Sequence, residues 1–330
     1  MELKQLGEFG LIDLIKENTI VDPASVIVGI GDDAAALLPS PRQLQLLATD
    51  MLIESVHFDL TTTTPWQLGY KAIAVNLSDI AAMGGVPKHC VVSLALPRNV
   101  QVDFVRDLYQ GMKEICRRFT VNIVGGDTVS SPQGLVLNVA VTGEVEPARL
   151  QRRSGAKPGD LVVVTGELGN SAAGLDLLRR GHWQEFVFAR QLVTCHLTPQ
   201  PQVQAGLLLA AFANSMNDIS DGLASEANEI AAASQVAVRL FEQQIPLSAE
   251  LTAASAVLGN AALDYALYGG EDYQLLFTIE PEKLRVLPAN EITAQLTVIG
   301  EIVRGPAGVE LVAADGAARG LAPKGYNHFG

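Results

Sequence analysis

At 330 residues the chain exceeds the roughly 250–300 residues that one hydrophobic core usually organises, so two domains are expected. A hydrophobic content of 48% with only 5% aromatics implies cores of Ala, Val, Leu and Ile closed by tight approach of their elements. A net charge of −13, with no cluster of Lys or Arg to release counterions, excludes free nucleic acid as a default partner, and any polyphosphate ligand would need intervening cations.

In chain order, Val26–Ile30 and Leu44–Leu52 read as strands bounded by turn chemistry, and the sequence GDD at Gly31–Asp33 follows the first of them. A helix is expected from Pro65, with Thr64 as its N-cap and Gly84-Gly85 as its stop; it is apolar on most faces except at Lys71, Asn76 and Asp79. Val91–Leu96 is a strand. The next segment is an amphipathic scaffold helix presenting Phe104, Leu108, Met112, Ile115 and Phe119. A short strand then runs into Gly125-Gly126-Asp127, and Leu135, Leu137, Val139 and Val141 alternate as a half-buried strand should.

The polar, basic, Pro/Gly-bearing run from Glu146 to Gly159 is the best domain boundary, which gives domains 1–148 and 149–330. Beyond it, DLVVVTG is a strand, residues 172–180, 207–212, 223–233 and 247–258 are helical, and residues 273–279 and 296–303 are strands. Cys90, Cys116 and Cys195 suit neither a disulfide framework nor a CxxC metal site. Neither a signal segment nor about 18 consecutive uncharged apolar residues is visible, so a soluble cytoplasmic protein with reduced thiols and no membrane partner is expected.

Carboxylates recur beside Gly, Ser or Thr: Asp32 and Asp33, Asp50, Asp79, Asp127, and Asp218 with Asp221. Each cluster alone is compatible with turn and cap chemistry. Together, without basic clusters to pair with, they point to shared hard cations. Mg²⁺ takes oxygen ligands and bridges carboxylates to phosphates, and the adjacent glycines let backbone amides approach phosphate oxygens. The P-loop signature, the protein-kinase signatures, HExxH and GxSxG are all missing, and GIGDDA fails the dinucleotide fingerprint at its last position. None of the five histidines has ligand spacing. Metal-assisted electrostatic catalysis is the chemistry left.

Taken in order, GIGDDAA, TDMLIESVHF, YKAIAVNLSDIAAMGG, GGDT, SGAKPGDLVVVTGELGNSAAGL, DISDGL, GGEDYQLLF and GYNHF resemble the thiamine-monophosphate kinase family of the PurM-like ATP-binding group. The resemblance runs from Gly7 to Phe329 and implies an α+β architecture of two PurM-like domains. The N-terminal mixed-sheet domain would dimerise and bind ATP near that interface, and the C-terminal domain would be an α/β sandwich. It implies Asp33, Thr49, Asp50, Asp79, Asp127, Asp218 and Asp221 as Mg²⁺ ligands. Thr49, Gly126, Asp127, Arg153 and Ser220 would contact ATP, and His57, Glu271 and Tyr326 the substrate. The activity implied is transfer of the γ-phosphoryl group of ATP to thiamine monophosphate by a homodimer. One stretch departs from the pattern: HLTPQPQ places Thr198 and Gln202 where many relatives carry arginines. The alternatives are another ATP-dependent enzyme of the same group and a non-catalytic nucleotide- or Mg²⁺-binding protein.

Overall fold

The computed structural model describes residues 10–30 and 34–325, so Asp32, Asp33 and Tyr326 lie outside the described residues. The chain divides into two compact units, one of Met1–Ile80 with Gly85–Pro147, the other of Ala81–Gly84 with Ala148–Gly330.

In the first unit a sheet packs with two long helices, and residues 10–15 are helical as well. Strands β1 (Val26–Val28) and β2 (Ala36–Leu37) form a small antiparallel pair. Strands β3 (Leu44–Ile53), β4 (Val86–Pro97), β5 (Asn122–Ser131) and β6 (Val136–Val145) form a four-stranded sheet in the order β3-β6-β4-β5. The β4–β5 pair is parallel and the other pairs are antiparallel. Helix α1 (Pro65–Ala82) starts as the sequence predicts. Thr64 Oγ1 accepts from Gln67 N (3.3 Å) while Thr64 N donates to Gln67 Oε1 (3.0 Å), a reciprocal capping box.

Helix α2 (Val102–Phe119) is amphipathic as expected and buries Leu108, Met112 and Ile115, but its buried stripe also takes in Val105, Tyr109 and Cys116, with Phe104 and Phe119 only half-buried at its margins. The cause is how closely α1 and α2 approach. A methyl on Gly69 would lie 1.9 Å from the Leu108 carbonyl oxygen, and one on Gly111 would lie 1.9 Å from the Trp66 carbonyl oxygen. Each helix therefore offers its bare backbone to the other. The small residues at the crossing set the rotation of α2, and the phenylalanines cannot claim its centre.

The second unit holds a seven-stranded sheet. Its strands are β7 (Leu161–Val164), β8 (Ser215–Asp218), β9 (Ala237–Phe241), β10 (Leu275–Ile279), β11 (Thr297–Val303), β12 (Gly308–Val312) and β13 (Ala318–Gly320), in the order β13-β12-β9-β11-β7-β10-β8. Only the β9–β12 pair is parallel. Its helices form two cores, one of them shared with the sheet. One core joins Val162, Val164, Leu276 and Ile299 of the sheet to Leu223, Ala227 and Ile230 of α6 (Leu223–Ser234) and Leu267 of α8 (Ala262–Tyr268). The other joins α3 (Asn170–Arg180), α4 (Ala189–Leu197) and α7 (Ala249–Leu258) through Leu177, Leu192 and Leu251. The remaining helices are α5 (Val203–Leu209) and α9 (Pro281–Arg285).

The last turn of α1 belongs to this second unit. Gln151 N donates to the Met83 carbonyl (3.1 Å), a methyl on Gly206 would lie 2.3 Å from the Ala81 carbonyl oxygen, and Gly84 ends the turn at φ +71°.

Candidate active site

In the first unit the sequence-predicted residues sit on the four-stranded sheet and α1. Asp50 and Asp127 lie inside strands, and Asp79 lies within α1, rather than in loops. GGDT extends β5 because that strand pairs in parallel with β4 across its whole length, with Asp127 opposite Ser93. A methyl on Gly126 would meet the Val92 carbonyl oxygen at 2.0 Å, so the glycine permits the pairing.

Strand alternation sorts these side chains onto two faces. Met51 pairs with Asn138, Asn138 with Ser93, and Ser93 with Asp127, so Asp127 shares a face with Asn138 and, two residues along β3 from Met51, with Thr49. Thr49 Oγ1 donates to the Val139 carbonyl (3.0 Å) and accepts from Asn138 Nδ2 (3.0 Å). Asp50 projects to the opposite face, with buried Leu52, and its N–H donates to Asn76 Oδ1 of α1 (3.2 Å). The sheet thus separates the side chains of Thr49 and Asp50 that sequence places side by side. His57 follows β3, where its Nδ1 accepts from Ile53 N (3.0 Å).

The second unit gathers three loops. Asp218 closes β8, and Ser220 and Asp221 lead into α6. The GGEDY turn lies against them: Glu271 N donates to the Ser220 carbonyl (2.6 Å), and Tyr273 N donates to the Ile219 carbonyl (2.9 Å). A methyl on Gly325 would lie 2.3 Å from the Asp221 carbonyl oxygen, so the residue before Tyr326 reaches the same place. Glu271 and Tyr273 adopt φ +56° and +50°, a left-handed backbone that non-glycine residues hold only when the surroundings impose it.

Sequence reasoning missed three residues here. His196, buried on α4, places Nδ1 3.1 Å from Ser171 Oγ and 3.2 Å from Glu271 Oε2. Its signal was the HLTPQPQ stretch, which it opens, while Thr198 and Gln202 bond locally to the Thr194 and Gln200 carbonyls. Asp272 is buried and accepts from Gly169 N (2.7 Å) and Ser171 N (3.4 Å) at the start of α3; burial raises its pKa to about 7. Glu226 of α6 accepts from Asn217 Nδ2 and from Asp221 N (3.2 Å). Burial first, then the neighbouring Glu229 and Asp218 charges, raise its pKa to about 9. Arg153 uses Nε to reach Asn217 Oδ1 (3.1 Å) and Glu229 Oε2 (3.0 Å).

Among the described residues, no three His, Cys, Asp or Glu side chains gather as a metal centre. The donors are nevertheless hard oxygens, and Asp218, Glu226 and Glu229 crowd negative charge until one carboxyl keeps its proton near neutrality. That donor set suits Mg²⁺, which binds through one or two carboxylates, waters and substrate phosphates rather than inside an all-protein cage.

Residues 31–145 match the model for AIR synthase related protein, N-terminal domain, and residues 157–312 match that for its C-terminal domain. The chain is 40% identical over 329 residues to a thiamine-monophosphate kinase from Bacillus subtilis (strain 168), covering 98% of this chain and 100% of the relative. The fold superposes on the crystal structure of thiamine-monophosphate kinase from Stenotrophomonas maltophilia K279a with a TM-score of 0.83 at 35% identity, covering 95% of this chain and 98% of that one. A structure of AaThiL complexed with AMPPCP and TMP aligns with a TM-score of 0.80 at 38% identity, over 100% of this chain and 99% of that one.

Proposed function

This chain belongs to the thiamine-monophosphate kinase family within the AIR synthase related proteins, and from that premise we propose that it transfers the γ-phosphoryl group of ATP to thiamine monophosphate in line, giving thiamine diphosphate. The observation that carries this reading is full-length similarity at 40% identity joined to a strained GGEDY turn held on the DISDGL loop.

The acceptor is itself a phosphate monoester whose second pKa is about 6, so its attacking oxygen is anionic at neutral pH and needs no general base. The barrier is electrostatic instead, since two unit charges at 4 Å repel by about 4 kcal/mol at an effective dielectric of 20. Bound Mg²⁺ supplies charge neutralisation of the phosphates. The proposed holders are Asp50, Asp79, Asp127 and the Thr49 oxygen in the first unit, Asp218 and Asp221 in the second, and Asp33. Gly126, Asp127, Arg153 and Ser220 are assigned to ATP. His57, Glu271 and Tyr326 are assigned to the thiamine moiety, with Glu271 accepting from the aminopyrimidine and Tyr326 stacking on a cationic ring, a contact worth about 0.5–2 kcal/mol. His196 and the backbone bonds of the turn hold the Glu271 carboxylate in place.

A homodimer is proposed through the open face of the four-stranded sheet. That face carries Leu47 at 76% exposure, Met51 and Val129 around the polar row Thr49, Asn138 and Asp127. An apolar sheet face of this kind marks an interaction surface. No helix among the described residues is long and apolar enough to cross a membrane.

Purified chain incubated with ATP, Mg²⁺ and thiamine monophosphate should yield thiamine diphosphate and ADP in equal amounts. ATP binding without acceptor-dependent ADP release would identify a non-catalytic binder, and ADP release only with a different acceptor would move the chain to another branch of the group.

A further inference from the structure

A cavity of about 470 Å³ in the first unit lies between one face of α2 and residues 14–21. Its volume falls in the range of small-molecule sites, and none of the residues assigned above to ATP, Mg²⁺ or thiamine monophosphate lines it. In a chain of net charge −13 this cavity runs against the trend, because Arg106, Lys113 and Arg117 line it and Glu17 is its one acidic residue. The three cations recur at seven- and four-residue steps, so they share one face of α2.

Lys113 is the decisive residue. Only 7% of it is exposed, and its ammonium lies 6.0 Å from the centre of the Tyr109 ring. Among the described residues it has no hydrogen bond or ion pair. Burial and the Arg117 charge push its pKa down while Glu17 partly offsets them. Lys113 lines the cavity, and an ammonium offers three donors and no acceptor, so an anionic group placed there would accept hydrogen bonds from it. Arg106 is held by Asp103 one turn earlier, leaving Lys113 and Arg117 as the donors directed to a ligand.

The facing wall is hydrogen-bonded to β5 and largely apolar. Asn122 Oδ1 accepts from Val21 N (2.6 Å) and Asp22 N (2.7 Å), and Ile123 N donates to the Thr19 carbonyl (2.9 Å), which fastens this segment to β5. Leu14, Ile15 and Ile20 line the cavity from that side.

We propose that this cavity is a binding site for a small organic anion, whose phosphate or carboxylate head engages Lys113 and Arg117 and whose apolar body lies against Leu14, Ile15 and Ile20. Binding is non-covalent and independent of the phosphoryl-transfer reading.

The test is calorimetric titration of the whole chain with phenyl phosphate, with Mg²⁺, a non-hydrolysable ATP analogue and thiamine monophosphate present at saturation to fill the reaction's own sites. The native chain should bind phenyl phosphate and benzoate, with inorganic phosphate about ten-fold weaker for want of the apolar contact. Lys113→Met should weaken phenyl phosphate by about ten-fold or more, through loss of a charge-assisted hydrogen bond. Gln110→Trp, an exposed position at the cavity edge, should block binding sterically and decides the matter if Lys113→Met fails to fold. No heat from the native chain at millimolar phenyl phosphate, or undiminished binding by the folded variants, overturns the proposal.

Discussion

Glu226 shows how a single buried carboxyl ties stability to pH. Its folded pKa of about 9 lies above the ordinary 4.5, so between those values the folded chain holds a proton that the unfolded chain has released. Stability contributed by that proton is present below the unfolded pKa and is lost as pH rises toward 9. Glu226→Gln keeps the acceptor oxygen without the charge. The melting temperature of the metal-free variant should therefore exceed that of the native chain by a margin that widens from about pH 5 to about pH 8, as followed by circular dichroism. His196→Ala should release Glu271 while leaving its backbone bonds intact. If Glu271 serves the thiamine end, KM for thiamine monophosphate should rise about ten-fold in steady-state assays with KM for ATP little changed. Neither residue was legible as a site member in the sequence: Glu226 falls inside a helical segment, and His196 lacks ligand spacing, although the HLTPQPQ stretch that it opens departs from the pattern. The aspartates could be picked out because glycine, serine or threonine lies beside them, but flanking residues do not report on which face a strand presents. Thr49 and Asp50, adjacent in the sequence, accordingly part to opposite sides of the sheet.

At the level of elements, the boundaries that chemistry marks strongly were readable. Thr64 and Pro65 announce the start of α1, and alternation announces β6. What the sequence hid was set by partners far along the chain. GGDT looks like a turn until β4 pairs with it in parallel, and the buried stripe of α2 shifts away from Phe104 and Phe119 because Gly69 and Gly111 bring two helix backbones together. Gly111→Ala should force those helices apart and lower stability by about 1–3 kcal/mol in urea denaturation, despite the better intrinsic helix propensity of alanine. Asp272 is a comparable long-range device: an acid from a distant loop accepts from the first amides of α3. Asp272→Ala leaves those buried donors unsatisfied and should cost about 2 kcal/mol by the same measurement.

For the whole molecule, the two-unit plan was foreshadowed by length, whereas pairing through the open sheet face came from the resemblance and is supported by the apolar residues on that face. Leu47→Glu should convert the proposed dimer into a monomer in sedimentation equilibrium without loss of helical signal, because that side chain is 76% exposed and carries no core packing. The end of α1 bears on how the chain is made. Residues Ala81–Gly84 belong with partners such as Gln151 and Gly206, which leave the ribosome some 70 to 120 residues later, or about ten seconds at typical elongation rates. For that interval the nascent first unit carries an unfinished helix terminus. A slow codon tract between the two units would lengthen its exposure and give nascent-chain chaperones a defined segment to hold.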